Sequence, residues 1–273
     1  MLKYFYITKN PRVARIAEDA GVDRVFVDME YIGKELRQPN MNTVKNHHTV
    51  ADVQNVRAAI SKAELLVRVN PIFDGSKDEI DAVVEAGADI IMLPMWKTAD
   101  DVKAFVSFVN GRARTLLLLE TDEAANCIDE VLSLSGIDEI HIGLNDLHLS
   151  QNKKFLFELV VDGTVDALSS KIKAAGIPFG FGGVGRVNSK NAPLPAENVF
   201  AEHYRLDSEM VILARAFCNS DNVSNYEELR NEFIKGVREN REYEVFLSNQ
   251  VTDFFDKTHK ETEMIVKRIV SEK

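Results

Sequence analysis

Polar and apolar positions follow a recurring order along the chain. An amphipathic stretch ends in a glycine, and a short run follows that is apolar at nearly every position. EDAGVDRVFVDME (18–30), EAGADIIMLPM (85–95), LSGIDEIHIGLND (134–146) and AAGIPFGFGG (174–183) share this order. Gly21, Gly87, Gly136 and Gly176 stand where a helix closes on a left-handed residue. Nearly continuous apolar runs are those of strands covered on both faces. Helix starts are marked too. Asn10-Pro11 reads as a cap followed by proline at the first helical position. Ser76 with Glu79 reads as a capping box. Thr98 precedes an apolar stripe of Val102, Phe105, Val106 and Val109, and Thr49 opens a helix carrying Val50, Val53 and Val56.

Eight runs are predicted as strands, near 2–8, 24–30, 64–70, 89–95, 114–120, 138–145, 178–184 and 210–217. Helical stretches separate most of them. This arithmetic predicts an α/β fold of the (β/α)8 TIM barrel type. The rival is a doubly wound open sheet, which should carry a glycine-rich phosphate loop after an early strand. None is found there, and GFGGVG at 180–185 comes late, without a convincing helix start. The expected organisation is a barrel core over 1–221 and a helical C-terminal extension over 222–273. The extension is charged yet holds Phe246, Phe254 and Phe255, so it is expected to pack on its own barrel or on another subunit.

Charge and composition narrow the function classes. A net charge of -10 over 273 residues opposes a phosphate backbone, so no nucleic-acid partner is expected. Cys127 and Cys218 lack metal-ligand spacing and read as core thiols of a reducing compartment. No apolar run approaches the ~20 residues needed to span a bilayer. The first residues hold too short an apolar stretch for a signal peptide. A cytoplasmic protein with no membrane partner is expected.

In such a barrel the chemistry sits at the C-terminal strand ends. Those ends supply Asp28, Glu30 and Tyr31, then Arg68 and Asn70, Glu120, and Asp146. Leu116, Leu118 and Glu120 share one strand phase, as do Ile142, Leu144 and Asp146. If the leucines fill the barrel, both carboxylates point into its mouth. Neighbouring strands lie about 4.8 Å apart, so the two acids repel unless a cation sits between them. A hard divalent ion with oxygen ligands fits. The competing assignment has each acid capping the helix after its strand. Arg68 needs an anionic partner: Asp28 or Glu30, a substrate oxygen that becomes negative, or both. His141, in the phase opposite to Asp146, is expected to face the helix layer, and His148 to lie in the loop beyond the site. His47 and His48 end a long polar loop at the face where loops carry function.

With these residues in view, the chain resembles the HpcH/HpaI aldolase and citrate lyase β-subunit family, of the phosphoenolpyruvate/pyruvate superfamily. The resemblance rests on FVDME (26–30), LVRVNP (66–71), AGADIIMLPM (86–95), LLLET (117–121) and GIDEIHIGLNDLHLS (136–150), in the family's order. It implies a (β/α)8 barrel and a lyase that needs a divalent metal, Mg2+ or Mn2+, to cleave or form a 2-keto acid. It implies that Glu120 and Asp146 are metal ligands and that Arg68 contacts the keto-acid oxygen and stabilises the enolate. The glycine–x–asparagine–aspartate motif, Gly143 to Asp146, implies that backbone amides near Asn145 and Asp146 hold the substrate carboxylate. Asp28 and Glu30 match acids near the metal's waters and the base. The family commonly assembles through its C-terminal helices, so a homo-oligomer is expected. Two positions depart from the pattern. Tyr31 stands where the aldolases have a histidine base, and Leu118 where they often have glutamine. A tyrosine, with an ordinary pKa near 10, is a poor base at neutral pH. The catalytic set is therefore taken as Arg68, Asp28, Tyr31 and His48, with the base supplied by His47, His48 or a metal-bound water. Two other activities are compatible: condensation of acetyl-CoA with a keto acid, and a non-catalytic barrel that has lost its base.

Overall fold

Eight parallel strands close on themselves in chain order: β1 (Lys3–Ile7), β2 (Arg24–Asp28), β3 (Glu64–Arg68), β4 (Ile90–Leu93), β5 (Arg114–Leu119), β6 (Glu139–Ile142), β7 (Phe179–Val184) and β8 (Met210–Leu213). This is the predicted (β/α)8 barrel, seen in a computed structural model that describes residues 1–33, 48–189, 192–220 and 223–273. Around the strands lie α1 (Pro11–Asp19), α2 (Val50–Ala59), α3 (Ser76–Glu85), α4 (Ala99–Val109), α5 (Asp122–Asn126) and α6 (Ile128–Leu132). They continue as α7 (Leu144–Ser150), α8 (Glu158–Val161), α9 (Thr164–Ala174), α10 (Ala196–Arg205), α11 (Tyr226–Ser248) and α12 (Thr252–Glu272).

The start signals act locally as their chemistry requires. The Asn10 side chain accepts the backbone N–H of Arg12 and Val13, and Thr49 and Thr98 form capping boxes with Asp52 and Asp101. The predicted box at Ser76 and Glu79 is different. Gly75 is the N-cap, and the Ser76 hydroxyl accepts the Phe73 N–H at 2.9 Å. Glu79 turns to Asn70 instead, accepting its backbone N–H at 3.1 Å and its side-chain amide at 2.6 Å. Asn70 is buried and needs acceptors for both groups, which the helix start does not.

Strand alternation divides the core in two. Phe5, Phe26, Leu66, Ile90, Met92, Leu116, Leu118 and Met210 fill the barrel, whereas Val25, Val27, Leu65, Val67, Leu117, Leu119, Ile140 and Ile142 face the helices. The inward phase carries charge at both ends. At the N-terminal end the fully buried Arg24 forks onto Glu139 and donates to Glu64 at 2.8 Å, with Arg114 bridging both acids. This ion cluster plugs the barrel floor and leaves the opposite end open.

α11 packs against α1 and α10, where the eighth barrel helix belongs, and α12 covers α10 and α8. Leu229, Phe233, Val237 and Val266 carry these contacts into the outer core. The C-terminal helices thus lie on their own barrel. Among the described residues no helix is long and apolar enough to cross a membrane.

Candidate active site

A cavity of about 350 Å³ opens at the C-terminal ends of the strands. Asp28, Glu30, His48, Arg68, Glu120, Gly143, Asn145 and Asp146 all line it. The strand register places Asp28 beside Arg68 on neighbouring staves. The Arg68 guanidinium donates to both Asp28 oxygens, at 2.8 and 2.7 Å, and lies 3.3 Å from Glu30. Two parallel charged hydrogen bonds fix its plane. Burial works to lower the Arg68 pKa, but the charges of Asp28 and Glu30 outweigh it and hold the group well above its ordinary range.

Glu120 sits just past the end of β5, 3% exposed. Burial pushes its carboxyl well above the ordinary carboxylate range. Arg68 opposes this, while the charges of Glu30 and Asp146 add to it. The Met95 N–H donates to it at 3.2 Å, from a residue held at φ 52°, left-handed backbone that a non-glycine residue adopts at a cost.

Asp146 reaches the mouth by a different route from the predicted one. β6 ends at Ile142, Gly143 is an N-cap, and Leu144 opens α7, so Asp146 lies in a first helical turn. The inward residues of β6 are therefore Glu139 and His141. This corrects the expectation for His141: it faces the barrel, lines the cavity and stands 6.0 Å from the Phe5 ring. Its Nε2–H donates to the Gly182 carbonyl at 3.0 Å. His148 is buried within α7, its Nδ1 3.1 Å from the Leu144 carbonyl, and does not line the cavity.

Tyr31 also departs from its predicted place. It is 51% exposed and absent from the cavity lining. The Asn70 side chain accepts the backbone N–H of Tyr31 and Ile32, both at 3.0 Å, and turns the chain outward after Glu30. The buried His48 stands beside Asp28 instead, where its Nδ1 accepts the Asp28 N–H at 3.0 Å. A backbone N–H can only donate, so the ring proton of neutral His48 resides on Nε2. His47 lies outside the described residues. Arg215, Asn219 and Ser220, after β8, also line the cavity; no motif marks them in the sequence.

The donor set suits a hard divalent ion. Glu120 and Asp146 offer oxygen only, and their mutual repulsion is what such an ion relieves. Among the described residues no group of three or more His, Cys, Asp or Glu side chains gathers at metal-binding spacing, so water and substrate oxygens would complete the shell. Gly143 leaves the room: a Cβ there would come 2.8 Å from the Glu120 Cβ and 3.0 Å from its Oε2. Gly143→Ala is accordingly expected to weaken Mn2+ affinity about 10- to 100-fold, as misplacing a ligand does, read by isothermal titration.

His141 makes acid lability a second expectation. Burial lowers its pKa from 6.5 to about 4, and burial likewise drives His203, stacked on Phe181, well below its ordinary value. Both stay neutral in the fold, while the unfolded chain takes up protons below about 6.5. The part of the stability that rests on these two neutral rings is therefore whole above that pH and lost as pH falls toward 4. His141 alone accounts for roughly 3 kcal/mol by then. Urea midpoints measured at pH 7, 5.5 and 4 should fall in that order, and less steeply in His141→Gln.

Comparison with known proteins adds lineage to this geometry. A family model described as HpcH/HpaI aldolase/citrate lyase matches residues 2–176. The 2-keto-3-deoxy-L-rhamnonate aldolase of Escherichia coli O17:K52:H18 is 26% identical over 168 residues, 50% of this chain and 57% of that protein. Its counterpart in E. coli O6:K15:H31 is 25% identical over 200 residues, 62% and 69% of the two chains. The chain thus matches little more than half the length of the first relative. A crystal structure of an HpcH/HpaI aldolase/citrate lyase family protein from Burkholderia cenocepacia J2315 superposes with a TM-score of 0.60 at 17% identity, covering 79% of this chain and 90% of that one. The HpcH/HpaI aldolase from Desulfitobacterium hafniense DCB-2 gives 0.57 at 16%, covering 88% and 93%. These two likenesses concern the fold.

Proposed function

Because the chain belongs to the HpcH/HpaI aldolase/citrate lyase family, we propose that it is a metal-dependent carbon–carbon lyase that cleaves or forms a 2-keto acid through a pyruvate-like enolate. The supporting observation is the convergence of Arg68, Glu120 and Asp146 on one cavity at the barrel mouth. When bound by Glu120 and Asp146, Mg2+ or Mn2+ supplies Lewis-acid stabilisation of charge on the keto oxygen. Arg68, its side chain only 14% exposed, aims fixed positive charge at the same oxygen. Asp28 and Glu30 hold the guanidinium in that pose. Backbone N–H groups at Asn145 and Asp146 take the substrate carboxylate. His48 serves as a hydrogen-bond donor from Nε2, since accepting a proton at Nδ1 would displace the Asp28 N–H. Tyr31 has no part in this reading.

The substrate class follows from the chemistry of an enolate. Cleavage transfers the proton of a C4 hydroxyl to a base, breaks the C3–C4 bond, releases an aldehyde and leaves the electron pair on the keto-acid fragment. Protonation of C3 then gives pyruvate. The relatives called 2-keto-3-deoxy-L-rhamnonate aldolase are named for a 2-keto acid. The test is pyruvate release from 4-hydroxy-2-keto acids, read with lactate dehydrogenase and NADH. Release that requires Mg2+ or Mn2+ is expected. Consumption of acetyl-CoA with no pyruvate release would overturn the reading.

A further inference from the structure

The two acids that hold Arg68 stand on the short segment where the chain leaves β2, so that segment decides where the guanidinium points. All five N–H groups from Asp28 to Ile32 are committed. The Asp28 N–H donates to His48 Nδ1 at 3.0 Å, that of Met29 to the Arg68 carbonyl at 2.9 Å, and that of Glu30 to the Asp28 carboxylate at 3.2 Å. The Tyr31 and Ile32 N–H groups both donate to Asn70 Oδ1 at 3.0 Å. The segment past Asp28 belongs to no helix or strand, and these bonds take the place of a ladder. Within it the Glu30 side chain turns inward, 2% exposed, and Tyr31 turns outward.

Asn70 owes its orientation to Glu79. One Glu79 oxygen accepts the Asn70 side-chain N–H at 2.6 Å and the other its backbone N–H at 3.1 Å. Both oxygens accept, as those of an ionised carboxylate do. With the amide nitrogen facing Glu79, the amide oxygen faces the turn. A negative charge behind the nitrogen polarises the amide and strengthens its oxygen as an acceptor. Arg68 and Asn70 lie two residues apart, so the end of β3 grips the end of β2 twice: by the fork on Asp28 and by the bracket on the next turn. Asn70 is 1% exposed, and neither it nor Glu79 lines the cavity. Their effect on chemistry runs through the turn.

We propose that Asn70 and Glu79 are positioning residues of the lyase: Glu79 orients the Asn70 amide, Asn70 sets the turn, and the turn places Asp28 and Glu30 so that Arg68 faces the keto oxygen while Tyr31 stays outside. The proposal rests on the lyase reading. The proposed metal ligands stand on other elements, Glu120 after β5 and Asp146 in α7, so the bracket bears on enolate formation and not on the ion.

The experiment follows exchange of pyruvate methyl protons with D2O in the presence of Mn2+, which reports enolate formation, and Mn2+ affinity by isothermal titration. Asn70→Ala and Glu79→Gln are each expected to slow exchange up to about 100-fold in kcat, the effect of a displacement of roughly 1 Å in a reacting group. KM for pyruvate and Mn2+ affinity should hardly change. Asn70→Asp alone sets two carboxylates against each other and should be as slow. The double variant Asn70→Asp/Glu79→Gln moves the charge and keeps every bond. The new carboxylate takes the Tyr31 and Ile32 N–H groups on one oxygen and the new amide N–H on the other, and the amide oxygen takes the N–H at position 70. It is expected to recover most of the native rate. Should Asn70→Ala not fold, Glu79→Gln and the double variant decide. Single variants that melt earlier but exchange at the native rate overturn the proposal, as does a double variant no faster than the singles, or Mn2+ affinity that falls in step with the rate. Native protein without any methyl exchange overturns the lyase reading and the proposal together.

Discussion

Glu120→Gln and Asp146→Asn are each expected to abolish metal-dependent turnover, by about a thousandfold or more in kcat/KM, because each removes a charged ligand from an ion worth several kcal/mol to the transition state. Neither change should unfold the protein. Glu120 makes the sharper case. Its carboxyl resists ionisation in the cation-free fold through burial and the neighbouring charges of Glu30 and Asp146. The folded chain therefore holds a proton that the unfolded chain releases above about 4.5, and the native state loses stability as pH rises through that range. Glutamine carries no such burden. Cation-free Glu120→Gln should melt at a higher temperature than the native sequence at pH 7, with the gain vanishing near pH 4. Added Mn2+ should raise the Tm of the native protein and leave the variant unmoved. Thermal scans with and without Mn2+ check all of these outcomes.

The second large effect belongs to Arg68. Arg68→Met should lower kcat/KM by about 10²- to 10³-fold, the cost of one removed donor at a developing oxyanion. The loss should fall on kcat more than on KM, because the charge it meets is greatest in the transition state. Arg68→Lys should recover little, since an ammonium cannot fork onto both Asp28 oxygens. Steady-state kinetics on the same keto acid distinguishes these outcomes.

Much of this architecture was legible because it follows from local rules. Continuous apolar runs after Gly21, Gly87, Gly136 and Gly176 marked strands of a covered parallel barrel, and β2, β4, β6 and β7 are those strands. Phase counting placed Glu120 correctly because β5 stays regular through Leu119. It failed one strand later. The apolar Leu144 looked like more strand but begins a helix packed into the outer layer, which inverted the assignment of His141. Glu79 followed the same logic: helix-start chemistry lost to a buried Asn70 that only tertiary structure reveals. The exchange of Tyr31 for His48 was legible only as an ambiguity. The resemblance set Tyr31 at the position of the family's histidine while its ordinary pKa argued for His47, His48 or a metal-bound water as base; the turn pinned by Asn70 carries Tyr31 out of the cavity, which His48 lines. The Arg24–Glu64–Arg114–Glu139 cluster lies at the strand starts, away from the ends where chemistry was sought.

The account stands most directly on the position of one cation. Crystals soaked with Mn2+ and pyruvate, measured at a wavelength where manganese scatters anomalously, would locate it. A single peak at coordination distance from the carboxylates of Glu120 and Asp146, with the pyruvate keto oxygen between the ion and Arg68, is the predicted result. A peak elsewhere on the barrel, or pyruvate bound with those two carboxylates turned away from it, would contradict it.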